Sequence, residues 1–287
     1  MRFELFIAAR YLRAKRRQAV VGVITAISVI GVAAGVASLI IALAITNGMR
    51  RDLQEKLVGS TAHVLLMRIS ADGIRDWRPL LNRLRTLPHV TAAAPGLYEE
   101  VLISRNAKSA GALIDGIVPA DQRAVSGILQ TMQQGSAQPL DPQPAAGDSP
   151  VAQSTPPIVI GQDLAQAIGA EIGDTVLVTS PQGELTPLGL VSKYQRFTVA
   201  GIFNSGFYQY DSSYAFIRLA DAQRLFSEPD LISVISFKVD DMDRADIIAR
   251  QIEQAAGPGY QSTNWMEQNR ELFRALRLEQ VVTFIIP

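Results

Sequence analysis

Few residues in this chain have the types and spacing that catalysis requires. The sequence has two histidines, His63 and His89, and no cysteine, which excludes thiol nucleophiles, cysteine metal ligands and disulfides. The histidines are far apart in the sequence, and we interpret both as structural. Asp240, Asp241 and Asp243 could suggest a divalent cation, but capping and the helix dipole explain acidic residues at a helix start. We therefore expect no metal site and no cofactor.

The motifs of common catalytic sites are also missing from the sequence. The chain has no G-x-x-x-x-G-K-[ST] phosphate loop, no H-E-x-x-H pair and no G-x-S-x-G elbow. Nucleotide, zinc and acyl-transfer chemistry are therefore not expected. Because the formal net charge is +0, no overall basic field points to a nucleic-acid partner. The sequence predicts a chain that is not an enzyme.

The longest apolar stretch lies near the N-terminus and must anchor the rest of the chain. No charged side chain interrupts the sequence from Gln18 to Met49, and about 20 apolar residues already span a bilayer. We predict a transmembrane helix over residues 18–49. A secretory signal is the alternative, but the apolar part of a signal has only about 7–15 residues.

Small residues form one face of this predicted helix. Gly31 and Gly35 make a G-x-x-x-G pair, and Ser28 and Ser38 extend the same face at helical spacing. Small faces let a second helix approach closely in lipid, although glycine is also common in membrane helices in general. We predict that Gly31, Gly35 and Ser38 contact another helix.

The charges on either side of the helix predict its orientation. Residues 10–17 contain five basic side chains and no acidic one, whereas bases and acids are mixed after Met49. By the positive-inside rule, the N-terminus is cytoplasmic and the rest lies outside, which in a bacterium is the periplasm. Within residues 1–17, an amphipathic pattern over 3–12 predicts either an interfacial helix or an extension of the membrane helix.

Beyond the membrane, strand and helix patterns alternate and predict an α+β domain over residues 50–271. Strands are predicted over 63–67, 97–104, 112–117, 158–160, 175–179, 195–203, 214–217 and 232–239. Helices are predicted over 77–87, 162–168, 219–226 and 242–256. Asp241 is expected to cap the last of these helices, and Asn264 with Glu267 to begin a further one with a capping box.

Two segments of this domain have unusual composition. Residues 132–156 are rich in Gln, Pro, Ala, Ser and Gly, which predicts a disordered loop, with a Pro-rich recognition peptide as the alternative. Residues 180–196 carry leucines in a segment rich in proline and glycine. Exposed apolar groups often mark a partner site, so we predict a partner-binding hairpin here, unless these leucines fold back onto the domain.

The C-terminal end of the sequence is again apolar. Val281, Val282, Phe284, Ile285 and Ile286 begin a run that stops at Pro287. We predict that residues 272–287 are the truncated start of a second transmembrane helix. The chain is then a fragment of a longer membrane protein.

Several motifs occur in a fixed order along the chain. They are I-G-V-A-A-G-V-A-S-L in the first span, I-T-N-G-M-R-R-D-L-Q-E-K-L-V-G after it, I-V-I-G-Q-D-L-A-Q-A-I-G with G-D-T-V-L-V, L-T-P-L-G with Q-R-F-T-V-A-G-I-F, and N-R-E-L-F-R-A-L-R-L-E-Q. In this order they resemble the LolC/LolE permease subunits of the lipoprotein-releasing ABC transporter. The resemblance covers nearly the whole chain except residues 132–156, which look like an insertion.

The resemblance implies an inner-membrane permease subunit with a MacB-like periplasmic domain. Such a subunit extracts lipoproteins from the membrane lipid and passes them to the periplasmic chaperone LolA. Its other partners are a LolD-like ATPase subunit and a second permease subunit, which is LolE-like or a copy of the chain itself. The family places the exit gap for acyl chains beside the first and second helices, so the small face of the first helix is a packing seam or the edge of that gap.

The resemblance also assigns a role to the hairpin, because in LolC a protruding hairpin called the Hook captures LolA. The matching residues in this sequence are Leu185, Thr186, Pro187, Leu188, Gln195 and Arg196. LolE lacks the Hook, so the chain resembles LolC or the hybrid subunits that act as homodimers. The spacing between Leu190 and Tyr194 is one residue longer than in LolC.

Two other classes share this type of permease. A MacB-type efflux subunit couples ATP hydrolysis to periplasmic efflux, and an FtsX-type protein transmits a signal across the membrane without a lipid substrate. Neither is expected to carry a chaperone-binding hairpin, so the behaviour of residues 180–196 discriminates between the three.

Overall fold

The computed structural model describes residues 3, 6–8, 10, 19–142, 155–181, 183–186, 189–242 and 244–270. The chain divides into two compact units, one formed by residues 1–53 and 271–287 and the other by residues 54–270.

The first unit contains most of a long N-terminal helix, α1 (Ala19–Ser60). Its segment Val21–Ile45 is long and apolar enough to cross a membrane, since its 25 residues extend about 37 Å against a hydrocarbon core of about 30 Å. Apolar side chains along this segment, such as Ile30, are exposed rather than packed in a core. The predicted helix is therefore present. Of the predicted interfacial helix, residues 3, 6–8 and 10 are helical, and the remainder lies outside the described residues, as does the predicted second span.

The second unit is built on a ten-stranded mixed sheet. Its strands are β1 (Val64–Arg68), β3 (Val90–Arg105), β4 (Lys108–Ile117), β5 (Met132–Gly135), β6 (Pro157–Gly161), β7 (Thr175–Thr179), β10 (Tyr194–Phe203), β11 (Tyr214–Arg218), β13 (Val234–Val239) and β14 (Tyr260–Asn264). Two small sheets pair β2 (Ile74–Arg75) with β12 (Leu231–Ile232) and β8 (Glu184–Thr186) with β9 (Gly189–Val191).

Short helices connect and cover these strands. They are α2 (Trp77–Arg85), α3 (Pro119–Val125), α4 (Gln162–Ile168), α5 (Tyr208–Ser213), α6 (Leu219–Phe226), α7 (Ala245–Ala256) and α8 (Trp265–Gln268), with 3₁₀ turns over Ile128–Gln130 and Gln138–Leu140. The mixture of helices with a largely antiparallel sheet is the predicted α+β class.

The order of the main sheet is β14-β1-β13-β3-β4-β11-β6-β10-β5, and β7 pairs with both β10 and β3. β3 and β4 form a long antiparallel hairpin in the middle, whereas β11 runs parallel to β4 and β10 runs parallel to β6. Parallel pairs require crossover connections, which place helices over the sheet and create a buried core.

In the core, alternate side chains of the central strands point toward the helices that cover the sheet. Along β10, Phe197 and Val199 are buried while Arg196 and Thr198 point to the other side, as expected for a period of two. Phe203 is fully buried, and its ring lies 5.5 Å from that of Phe216. This alternation fixes which side chains of β10 remain available at the surface.

The prediction of disorder over residues 132–156 is wrong for residues 132–142. Here β5 pairs antiparallel with β10 at the sheet edge, with Gly135 opposite Gly201. The following 3₁₀ turn inserts Leu140, which is fully buried, into a cluster with Phe203 and Phe216. Backbone pairing and one apolar anchor stabilise a segment whose composition is polar. Residues 143–154 lie outside the described part of the chain.

Some predicted boundaries also change. Helix α7 begins at Ala245 instead of Met242, because Asp241 closes a turn by accepting a hydrogen bond from the Arg244 amide at 3.3 Å. The predicted strand over 232–239 is divided between two sheets at Ser233. The predicted capping box is confirmed, since the Asn264 side chain accepts from the amide of Glu267, whose carboxylate accepts from the Asn264 amide.

Candidate partner-binding hairpin

The segment between β7 and β10 folds into a hairpin of its own. β8 pairs antiparallel with β9 in the register Glu184 to Val191, Leu185 to Leu190 and Thr186 to Gly189. Residues 187 and 188, which follow β8 in the sequence, lie outside the described residues. In the described part of the unit this pair of strands joins no other strand, so its backbone is available outside the main sheet.

The base of the hairpin is fixed to the main sheet and to a helix. The Ser180 amide donates to the Lys193 carbonyl at 2.9 Å, and the next pair, Thr179 and Tyr194, begins the β7–β10 ladder. The Lys193 ammonium donates to the Ser227 hydroxyl, which follows the C-terminus of α6. The base of the hairpin is thus held by backbone and side-chain hydrogen bonds to the rest of the unit.

Gln195 and Arg196 lie on β10 directly after this base. They pair with Val178 and Leu177 of β7 and point to opposite faces because side chains alternate along a strand. Gln195 is half-buried and Arg196 is exposed. No hydrogen bond or ion pair joins the Arg196 guanidinium to a described residue, so it is available to a partner.

A groove next to Arg196 carries further basic groups. Its lining includes Arg196, Thr198, Pro156, Arg218, Asp221 and Arg224. Arg218 is committed within the chain because its Nε donates to the Leu140 carbonyl at 3.1 Å, and Arg224 pairs with the buried carboxylate of Asp221. Unlike Arg218 and Arg224, Arg196 makes no side-chain hydrogen bond or ion pair with a described residue.

The structure describes only part of the predicted site. Leu185 and Thr186 are placed on β8 by their backbone, and Pro187 and Leu188 lie outside the described residues. Gln195 and Arg196 lie on β10 directly after the Ser180–Lys193 base of the hairpin that contains β8.

One exposed aromatic residue at this site is not among the residues predicted from the sequence. Tyr194 is 69% exposed at the first position of β10, between the anchor Lys193 and Gln195. An aromatic side chain with an apolar ring and a polar hydroxyl is suited to interfaces. The signal was present in the letters K-Y-Q-R, where a large aromatic residue precedes the strand's first buried position, Phe197.

The predicted small face on α1 is open in the described structure. A Cβ atom added at Gly31 or Gly35 would have no described atom within 4 Å, and Ser38 is exposed. The face can therefore receive another helix or lipid without any rearrangement of the described chain.

The residues first considered for metal chemistry have roles within the fold. His63 is buried, and its Nδ1 lies 3.2 Å from both the amide nitrogen and the carbonyl oxygen of Val239. The Nδ1 of His89 lies 3.1 Å from each carboxylate oxygen of Asp240. Among the described residues no group of three or more potential ligands could hold a metal ion; Asp243 lies outside that part of the chain.

Comparison with known proteins gives consistent matches. Residues 25–255 match the family described as the MacB-like periplasmic core domain. The lipoprotein-releasing system transmembrane protein LolC of Xylella fastidiosa (strain 9a5c) is 32% identical over 282 residues, which cover 98% of this chain and 64% of that protein. LolC of Neisseria meningitidis serogroup B is 32% identical over 284 residues, covering 99% of this chain and 66% of that protein.

A LolE protein also matches this chain. The lipoprotein-releasing system transmembrane protein LolE of Haemophilus influenzae is 24% identical over 295 residues, covering 99% of this chain and 66% of that protein. The chain thus spans slightly less than two thirds of the length of these curated relatives.

Proposed function

The chain belongs to the family of MacB-like periplasmic core domains, and from this premise we propose that it is a membrane permease subunit of an ABC transporter that releases lipoproteins. The resemblance to the LolC/LolE subunits, predicted from motifs, is confirmed by 32% identity to LolC over 98% of the chain. The proposed substrates are lipoproteins of the bacterial inner membrane, which the complete transporter extracts from the bilayer.

The proposed topology follows from the long helix. α1 carries the membrane span, its N-terminus lies in the cytoplasm, and residues 54–270 lie in the periplasm. The basic residues before the helix support this orientation. The second unit is then placed where a soluble periplasmic chaperone can reach it.

The observation that carries the proposal is the hairpin β8–β9. It stands outside the main sheet, its base is fixed by the Ser180–Lys193 hydrogen bond, and Arg196 at that base has no partner among the described residues. We propose that this hairpin binds LolA, with Leu185 and Leu188 as the apolar contacts and Gln195 with Arg196 as polar contacts.

A hairpin contact suits a transfer step, which needs recruitment followed by release. Transient interfaces typically bury less than about 1,200 Å², an area that a small hairpin and its base can provide. Pro187 restricts the backbone at the tip, which reduces the entropy lost when the chaperone binds. The exposed ring of Tyr194 adds apolar area next to Arg196.

The remaining partners supply what this chain lacks. A LolD-like ATPase subunit would hydrolyse ATP in the cytoplasm, so this chain is proposed to be non-catalytic. A second permease subunit, LolE-like or a copy of this chain, would complete the path for the acyl chains beside the face of Gly31 and Gly35.

The hairpin is tested in the full-length transporter reconstituted in nanodiscs. Replacing residues 185–191 with a short Gly-Ser link should abolish LolA binding measured by biolayer interferometry. Arg196→Ala should weaken binding about tenfold or more, because a hydrogen bond made by a charged group is worth about 1.5–3 kcal/mol. The matched control is Arg250→Ala, which removes an exposed arginine from α7, a helix that packs at the opposite edge of the sheet on β14.

Unchanged LolA affinity after removal of the hairpin would reject the chaperone assignment. A MacB-type efflux subunit would then be the better interpretation of the fold. An equal loss in the Arg250→Ala control would show that surface charge in general, and not the hairpin base, determines binding.

A further inference from the structure

A small polar cavity, partly open to solvent, lies in the second unit and shares no lining residue with the hairpin. Its volume is about 50 Å³, and a single water requires about 10–15 Å³ of such space. The polar groups around it come from Asp115, Tyr98, Tyr210, Tyr214, Gln122 and Ser236. The cavity can therefore hold a few water molecules among groups that hydrogen-bond to them.

Asp115 is the unusual member of this group. It lies in the middle of the sheet on β4, paired with Tyr98 of β3 and Phe216 of β11, and only 2% of its surface is exposed. Its Oδ1 atom is buried and has no hydrogen-bond partner in the described structure. An ionised carboxylate left in this way is strongly unfavourable, and burial raises the pKa of Asp115 well above its usual value.

Among the described residues, the groups that face Asp115 include no positive charge. None of the residues lining the cavity is a lysine, arginine or histidine. The titratable neighbours are three tyrosines, Tyr98 on β3, Tyr210 on α5 and Tyr214 at the start of β11, and burial raises the pKa of each hydroxyl. β13, α3 and α8 contribute only the neutral side chains of Ser236, Gln122 and Gln268. The side chains around Asp115 are thus neutral hydroxyls and amides, and such surroundings favour the protonated, neutral form of its carboxyl group.

The tyrosines form a connected wall around the carboxyl. The rings of Tyr210 and Tyr214 lie 4.7 Å apart, and Tyr98 shares a side-chain hydrogen bond with Ser236. Hydroxyl groups both donate and accept, so together with water they can satisfy the donor and the acceptor of a protonated carboxyl. Gly96 completes the wall, because a Cβ atom there would lie 3.1 Å from Asp115 Oδ1.

We propose that this cavity is a proton- and water-binding site, in which Asp115 takes up a proton from solvent and the neutral acid and the tyrosine hydroxyls hold ordered water. The proposal is independent of the chaperone hairpin. The cavity is also lined by Thr61 and Ala62, the first residues after α1, and by Gln268 on α8. Ionisation of Asp115 draws water into the cavity and loosens these two segments.

The pH dependence has a defined sign. The pKa of Asp115 is raised in the folded state, so the stabilising effect is complete below the unfolded pKa and is lost as pH rises through the folded pKa. A single group changes the unfolding equilibrium constant by at most about tenfold per pH unit in this window. Wild type should therefore lose stability as pH rises, and Asp115→Asn, which keeps the shape without the proton, should not.

The test uses the whole chain in detergent micelles. Infrared difference spectra should show the C=O stretch of a protonated carboxyl at neutral pH, absent from Asp115→Asn. Amide hydrogen exchange at Thr61, Ala62 and Gln268 should rise with pH beyond the intrinsic chemical rate in wild type and stay flat in Asp115→Asn. The matched control is Asp76→Asn, at an exposed aspartate, which should behave like wild type.

An ionised Asp115 at neutral pH in the infrared spectrum would overturn the proposal, as would identical pH profiles of wild type and Asp115→Asn. If the Asn variant does not fold, the exchange profile of wild type against Asp76→Asn decides, and a flat profile in both would reject the site.

Discussion

Asp211 shows how one buried carboxylate organises the loop before α5. Its Oδ1 accepts hydrogen bonds from the Ser205 amide and the Ser205 hydroxyl, both at 2.8 Å, and its Oδ2 accepts from the Gly206 amide at 3.2 Å. The backbone of Gly161 passes so close that a Cβ atom there would lie 2.2 Å from the Asp211 carbonyl oxygen. Asp211 and Asp115 are both buried, but the Oδ1 atom of Asp211 accepts two hydrogen bonds, whereas the Oδ1 atom of Asp115 has no partner in the described structure.

Asp211→Ala should therefore destabilise the second unit. Removing the carboxylate leaves backbone and hydroxyl donors without their acceptor, which costs about 3 kcal/mol in free energy of unfolding. Urea unfolding followed by circular dichroism measures the loss. Asp211→Asn is the control, because it keeps one acceptor oxygen and should lose less; equal losses in the two variants would contradict the role assigned to the acceptor oxygens.

At the scale of elements, the best sequence predictions combined an apolar pattern with a stop signal. Helix α4 has the predicted bounds because its apolar residues share a face and Gly169 ends it with a φ of 67°. Strand β7 also has its predicted bounds, Thr175–Thr179. β5 was missed because its letters, M-Q-Q-G, carry no apolar alternation, and its stability comes from pairing with β10, which local sequence does not reveal.

The candidate sites, too, could be predicted from the sequence only in part. Turn residues and leucines predicted the hairpin, but the exposure of Tyr194 and the lack of described partners for Arg196 depend on contacts between distant strands. Asp115 could have been noticed as the single acid in the apolar run A-L-I-D-G-I. The side chains around Asp115 come from β3, β11 and α5, which are distant in the sequence. Whether the carboxyl has a hydrogen-bond partner could therefore be seen only in the structure.

The small face of α1 gives a prediction at this scale. Gly35→Leu adds a large side chain where no described atom lies within 4 Å, so the chain itself should fold normally. In the full-length transporter the same change should reduce lipoprotein release, because close helix contacts require small residues. Release from proteoliposomes is measured against Val36→Leu, a change at an exposed neighbour one position along the helix. Equal release by both variants and wild type would show that the face meets only lipid.

At the scale of the whole molecule, one helix belongs to both units. α1 runs without interruption from Ala19 to Ser60, across the boundary between residues 53 and 54. Its 42 residues extend about 63 Å, far more than the hydrocarbon core requires. The membrane-spanning segment and the first residues of the second unit therefore belong to one continuous helix.

The proposed source of energy for transport is a separate ATPase subunit. ATP hydrolysis needs a loop of backbone amides and a lysine around the phosphates, and the sequence has no G-x-x-x-x-G-K-[ST] motif. The purified chain should therefore show no ATPase activity in detergent, and adding a LolD-like subunit to the full-length permease pair should produce it. The control is the same complex with the phosphate-loop lysine of the ATPase subunit replaced, which should be inactive. Hydrolysis by the isolated chain that persists through further purification would reject the division of labour between permease and ATPase, because the chain would then have to bind phosphate through groups that its sequence does not display.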